Sequence, residues 1–353
     1  MIPTEPIGSI PRSDELVAAM QGAAEGTVSA DQLEALFDEA VRDTIARMEA
    51  AGSPIVTDGE QRKPSFATYP VAGITSLGAG GVVIPFADGH TRQLPVITER
   101  PFRYRTHANV YLRAAQALAT RPVKQAVISA SALSLLYPAD GIEGYSREEF
   151  LADLVDEAEA EIRGCLDAGA HCVQIDFTEG RLSLKLDPSG GLLRSFIALN
   201  NDVLGRFSAD ERERIGVHSC PGGDHDSTHS ADVDYAALLP ALFDLDAGAF
   251  YLELAGEHDP EGVLEVVAAK MRPEQKVFVG VIDPIAARVE TPEEVRDRVL
   301  LAAKHIPLDR LGTTDDCGFS PFADDRSTAR ETAFAKIQAR VEGTALASQE
   351  LGV

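Results

Sequence analysis

Apolar runs alternate with acidic, alanine-rich amphipathic stretches along almost the whole chain. Short runs rich in Val, Ile and Leu fall at residues 54–58, 123–129, 171–176, 214–218, 249–254, 276–282 and 310–314. Their near-continuous hydrophobicity is that of parallel strands covered on both faces rather than of half-exposed strands. Helical periodicity marks 30–51, 147–168, 231–243, 260–270, 292–305 and 327–342 between them. Ser146-Arg147-Glu148-Glu149 and Thr291-Pro292-Glu293-Glu294 carry the hydroxyl and carboxylate spacing that starts helices. Repeated β-α units over about 300 residues predict a (β/α)8 barrel, with a doubly wound sheet as second choice. No internal repeat, low-complexity tract or linker interrupts the pattern, so residues 1–353 are read as one barrel domain.

One segment breaks the rhythm. Residues 76–104 hold Gly78-Ala79-Gly80-Gly81-Val82-Val83-Ile84 and Gln93-Leu94-Pro95-Val96-Ile97, joined through Asp88-Gly89. Two apolar runs around such a turn predict a β-hairpin insertion, placed to cover the barrel mouth.

Charge narrows the partners. Lys plus Arg number 32 against 56 Asp plus Glu, a formal net charge of −24, which argues against nucleic acid or an anionic membrane surface. The chain shows neither a leader pattern nor an apolar window long enough to span a bilayer, so a soluble, cytoplasmic protein is expected. Four cysteines are too sparse for a disulfide framework. Cys165 and Cys172 lie in apolar surroundings and are expected in the core, whereas Cys220 and Cys317 remain available as thiolates.

In a barrel, polar residues at the C-terminal strand ends converge on one mouth. Those ends read Asp58-Gly59-Glu60, Asp176, His218-Ser219-Cys220, Glu253, Asp283 and Cys317. His218, Cys220, Glu253 and Cys317 are a borderline-soft donor set suited to zinc, and their wide spacing is unlike a compact structural knuckle. His225, Asp226 and His229 follow in a long polar loop, read as neighbours of this site, with a second metal cluster as the alternative. Asp315 and Asp316 are read as acceptors of backbone hydrogen bonds beside Cys317.

Ile7-Gly8-Ser9, Asp58-Gly59-Glu60, Gln174-Ile175-Asp176, His218-x-Cys220, Leu252-Glu253 and Asp316-Cys317-Gly318 occur in an order that resembles the catalytic half of cobalamin-independent methionine synthase. The resemblance spans nearly the whole chain and implies a barrel with zinc on His218, Cys220, Glu253 and Cys317. It also implies that Ser9, Glu60 and Asp176 surround the amino-acid part of homocysteine. In length, in Pro221-Gly222-Gly223-Asp224 and in the Thr313-to-Phe319 motif, the chain looks closer to a short branch that includes epoxyalkane:coenzyme M transferase, also called 2-hydroxypropyl-CoM lyase.

The chemistry expected is alkyl transfer to a small thiol held as a thiolate at neutral pH by Zn²⁺. The first reading is addition of coenzyme M to an aliphatic epoxide, with a proton from His225, His229, Glu60 or Asp176. Its sulfonate would need one of Arg12, Arg62, Lys63, Arg92, Arg103 or Arg105. The alternative is methyl transfer from a methyl-folate or methylcobalamin donor to homocysteine, which the paired carboxylates Glu60 and Asp176 favour because they suit an ammonium group. A third reading is a non-catalytic barrel with structural zinc. The sequence leaves a homo-oligomer open.

Overall fold

A computed structural model describes residues 1–353. Six parallel strands form its central sheet in sequence order: Gln125–Ile128, Val173–Asp176, Ile215–Ser219, Ala249–Leu252, Lys276–Ile282 and Leu311–Asp315. All but the first residue of the longest are buried, as the unbroken apolar runs require. Two further staves close the ring. Thr4 bridges Thr313 in parallel, with Glu5 N donating to Thr313 O at 3.0 Å, and Val56 bridges Val123. Thr57 Oγ1 donates to Gly8 O at 2.9 Å, joining these two staves to each other. The result is a (β/α)8 barrel.

The expected strand at 54–58 is thus reduced to a single bridge, and the N-terminal stave escaped the periodicity altogether. Pro3 and Pro6 explain the second case, since proline withholds an N–H from a ladder and masks a strand pattern. Helices Asp14–Ala24, Asn109–Gln116, Glu179–Leu186 and Gly191–Leu204 were also not anticipated, and the C-terminal helix runs to Arg330–Leu351 rather than ending near 342. Ser146 and Thr291 both form complete capping boxes, with Glu149 and Glu294 reaching back to the cap N–H groups.

The main apolar core lies between sheet and helices. The barrel interior is plugged below the mouth by Ile7, Cys172, Ala249, Tyr251 and Phe278. A buried Glu5–Lys124 pair (3.3 Å) and the Tyr251 hydroxyl, donating to Glu5 at 2.6 Å, complete that plug. Gly216 is needed here because a Cβ would lie 2.5 Å from the Tyr251 ring. Cys165 and Cys172 are free and buried. No helix is long and apolar enough to cross a membrane.

The expected insertion is present as two antiparallel ladders, Leu77–Gly78 with Val96–Ile97 and Val83–Pro85 with Thr91–Gln93. Its tip docks on a second small hairpin: Ala87 N donates to Thr228 O at 2.9 Å, and Arg92 reaches Asp224. It therefore forms one wall of the barrel mouth.

Candidate functional site

His218 lies near the end of its strand, where pairing with Tyr251 of the neighbouring strand fixes its height. Its ring Nδ1 faces Tyr251 O at 3.2 Å. A carbonyl can only accept, so Nδ1 carries the proton and Nε2 is left bare, buried and without a partner. That lone pair joins the sulfurs of Cys220 and Cys317, the three atoms lying within 4.8 Å of one another. The sulfurs are 2.9 Å apart as thiols, not a disulfide. Burial pushes Cys220 well up, reinforced by Cys317 and Glu253. Cys317 is held well below its ordinary value, first by the hydrogen bond from Cys220 and then, against burial, by His218. Burial alone would lower His218, but the facing Cys317 sulfur raises it further. An orphaned imidazole nitrogen and two convergent sulfurs fit a tetrahedral N/S metal such as zinc, with one position left over.

The fourth expected ligand, Glu253, is not in this cluster. Its Oε2 accepts from Arg181 Nη1 at 2.9 Å, and the same nitrogen donates to Glu257 at 2.6 Å. Arg181 Nη1 thus holds one oxygen of this carboxylate, and three of the four expected ligands converge. Asp316 organises the loop after Glu253, its carboxylate accepting from the N–H groups of Leu254, Ala255 and Gly256 at 2.6–2.9 Å. That matches the expected acceptor role. Asp315 departs from it and pairs with the buried Arg340.

Ser9, Glu60 and Asp176 do meet beside this thiol–imidazole cluster. A small pocket is lined by all three together with His218 and Cys317. Glu60 sits at a left-handed φ of 56° beside Gly59 and accepts from Lys63 at 2.9 Å. Such a backbone at a non-glycine residue costs of order 1–3 kcal/mol. Asp176 Oδ1 accepts from Gln174 Nε2 at 2.7 Å. Burial, with Glu60 adding to it against the pull of His218, pushes Asp176 to about 7. Ser9 Oγ accepts from Ser320 N at 3.1 Å.

No lysine or arginine lines this pocket, and all six sulfonate candidates are engaged elsewhere. Arg12 donates to the carbonyls of Glu60, Lys63, Ser320 and Phe322. Arg62 pairs with Glu34 and Asp38, Lys63 with Glu60, and Arg92 with Asp224 and Asp324. Arg103 pairs with Asp153, and Arg105 donates to Gly73 O.

The proton-donor expectations also change. His225 occupies the tip of the two-residue turn between Gly223–Asp224 and Ser227–Thr228, with φ of 49° there and 57° at Asp226, as such a turn demands. It is 40% exposed, lines neither cavity and faces Arg92 and Asp325. His229 is buried in the wall of a second, larger cavity that shares Phe66, Thr178, Gly222 and Gly223 with the small pocket. Burial, then Lys185 and Arg181, lowers it to about 3, so it stays neutral and cannot serve as an acid near pH 7. The alternative metal cluster of His225, Asp226 and His229 is not brought together. His225 falls instead with Asp224 and Asp325, where Arg92 already neutralises Asp224. Gly222, at φ 70°, leaves room for His229: a Cβ would lie 1.8 Å from Nε2. Gly222→Ala should cost about 1–3 kcal/mol in thermal unfolding, from backbone strain and the displaced ring. Gly26→Ala is the control, with φ 76° and nothing within 4 Å; equal losses in the two variants would show that His229 is not crowded.

Sequence reasoning missed Glu179 and Arg181, both buried beside the mouth. The motif Asp176-Phe177-Thr178-Glu179 carries the signal, a second carboxylate three residues after a strand-end one.

These features define a (β/α)8 barrel whose mouth carries a thiol–imidazole cluster beside a carboxylate-lined pocket. The chain belongs to the family described as cobalamin-independent synthase, catalytic domain, whose model matches residues 2–342. It is 23% identical over 345 residues to the uncharacterised protein YxjH of Bacillus subtilis (strain 168), covering 94% of this chain and 91% of that one. It is 23% identical over 352 residues to a methionine synthase of Sulfurisphaera tokodaii, covering 99% and 94% respectively. A B12-independent methionine synthase from Shewanella sp. W3-18-1, solved with selenomethionine, superposes with a TM-score of 0.76 at 20% identity over 99% of each chain, a likeness of fold.

Proposed function

We propose that this chain transfers a methyl group to the thiol of homocysteine, giving methionine, with zinc held by His218, Cys220 and Cys317. Zinc bound there would take the substrate thiol in its open position and keep it as a thiolate at neutral pH. The observation that carries the reading is the small pocket, where Asp176 and Glu60, the latter paired with Lys63, stand beside His218 and Cys317 and no lysine or arginine lines the wall. Two carboxylates suit an α-ammonium group and repel a sulfonate. Ser9 is positioned to serve the other end of the amino acid.

Length agrees with this. The methionine synthase relatives of Sulfurisphaera tokodaii and Saccharolobus solfataricus are covered over 94% and 96% of their length, so the short chain is no argument for a different thiol. The reading of coenzyme M with an epoxide loses its main physical requirement, a free cation near the sulfur. A purely structural metal is disfavoured because the three ligand atoms come from two different strand ends, and His218 and Cys317 open onto a pocket.

Calorimetric titration of the zinc-loaded protein should show L-homocysteine binding and coenzyme M binding more weakly. Asp176→Asn should weaken homocysteine by about 10- to 100-fold, the worth of a hydrogen bond to a charged group, at unchanged zinc content. Tighter binding of coenzyme M would end the proposal.

A further inference from the structure

Arg12 is buried, and its guanidinium fork divides between two loops of the barrel mouth. Nη2 donates to Glu60 O at 2.5 Å and to Lys63 O at 2.7 Å, in the loop that carries Glu60. Nη1 donates to Ser320 O and Phe322 O, both at 3.3 Å, in the loop that carries Cys317. The segment of Arg12 itself carries Ser9. Burial lowers Arg12 to about 10, against the pull of Glu60 and Asp58, so the fork stays charged at neutral pH.

The three segments are not held together equally. Ser9 and the Cys317 loop are fixed to each other directly. Phe319 N donates to Ser9 O at 3.0 Å and Ser320 N to Ser9 Oγ at 3.1 Å, and a Cβ on Gly318 would lie 2.1 Å from Ser9 Oγ. Residues 64–66 and 321–323 also pair directly, through Phe66 N to Pro321 O at 2.9 Å and Ala323 N to Pro64 O at 3.1 Å. The turn at 58–63 makes no such bond to residues 316–323. It meets them through the Arg12 fork and, less directly, through Ile10, whose N–H donates to Gly59 O at 3.0 Å. Glu60 in this turn has the left-handed backbone described above, a conformation that persists only where the surroundings over-determine it. Its N–H donates to Asp58 Oδ1 at 3.0 Å, and its carbonyl accepts from Arg12.

We propose that Arg12 is a positioning residue that sets the span between Glu60, at the amino-acid end of the small pocket, and Cys317, at its sulfur end, so that the site selects its thiol by chain length. The inference rests on the methyl-transfer reading above. Glu60, Ser9 and Cys317 all line that pocket, whereas Arg12 does not, so it acts through the loops it joins. Cysteine is one methylene shorter than homocysteine. With the two ends held at a fixed separation, it engages one of them and falls short of the other. A planar fork can serve carbonyls on both loops at once, which the single nitrogen of a lysine cannot.

The test is calorimetric binding of L-homocysteine, L-cysteine and propanethiol to the zinc-loaded wild type, Arg12→Lys and Arg12→Gln. Wild type should prefer homocysteine to cysteine by at least about tenfold, the worth of one misfitted methylene. Arg12→Lys, which keeps the buried charge but serves one loop only, should shrink that preference to within about threefold, chiefly by weakening homocysteine. Propanethiol engages the sulfur end alone and should bind within about twofold of its wild-type affinity, at unchanged zinc content. Arg12→Gln should show the same pattern without the charge. An undiminished preference for homocysteine in a folded variant, or an equal loss for all three thiols, overturns the positioning role. Failure of both variants to fold overturns it too, by assigning Arg12 to stability alone. A wild type that binds propanethiol but not homocysteine overturns the methyl-transfer reading itself, and one that binds homocysteine and cysteine alike overturns only the selection by length.

Discussion

Cys317→Ala should abolish metal retention together with the methyl transfer proposed above. Cys317 is the sulfur whose thiolate is favoured in the cluster, by the hydrogen bond from Cys220 and by His218. Its removal leaves one imidazole nitrogen and one sulfur whose burial favours the neutral thiol, a set too weak to hold zinc against dilution. A metal centre contributes several kcal/mol to such a reaction and 1.36 kcal/mol is a factor of ten, so kcat/KM should fall by at least about 10³. Zinc measured by elemental analysis after dialysis should drop in parallel, and Cys220→Ala should behave alike. Glu253→Gln gives the contrast. Because Arg181 holds that carboxylate aside, the variant should keep its zinc. A Cys317→Ala protein with full metal content would refute the cluster, and a Glu253→Gln protein without metal would restore the four-ligand set.

Arg340→Leu is the variant expected to damage the fold most. Arg340 and Asp315 are both fully buried and pair directly, joining the C-terminal helix to the last barrel strand one residue before Asp316 and two before Cys317. Burial already pushes the Asp315 carboxyl up, with Arg340 opposing it. Removing the guanidinium leaves a carboxylate in the interior without a counter-charge, a change that costs about 3–5 kcal/mol. Replacing both partners by apolar residues should recover most of that loss, because the penalty belongs to the orphaned charge rather than to the missing pair. Urea unfolding of the single and double variants measures this. A loss below about 1 kcal/mol in the single variant would place the pair among exposed, solvent-screened ion pairs.

The strands at 276–282 and 311–315 and the helices capped by Ser146 and Thr291 were legible because each depends on a local pattern, either an unbroken apolar run or a hydroxyl three residues before a carboxylate. The N-terminal stave was not, because it pairs only through Thr4 and its prolines hide the pattern. Within the site, Glu60, Asp176, His218, Cys220 and Cys317 were found by residue type at strand ends and Ser9 through the family resemblance, and barrel closure brings such ends to one mouth whatever lies between them. The roles of Glu253, His225 and His229 were not readable in this way. Arg181 lies in a helix that follows another strand, yet its Nη1 holds one oxygen of Glu253. His229 is neutral because the mouth buries it near Lys185 and Arg181, and His225 is turned away by a two-residue hairpin.

The sequence by itself determined the alternation of strand and helix and the kinds of donor present at the strand ends, because both follow from periodicity and residue chemistry along the chain. Only the tertiary structure decided which donors share a cluster, which cations are already paired and which carboxyls, Glu179 among them, are left buried with an oxygen unmatched. Those outcomes depend on distances between side chains from different loops, and such distances exist only once the barrel has closed.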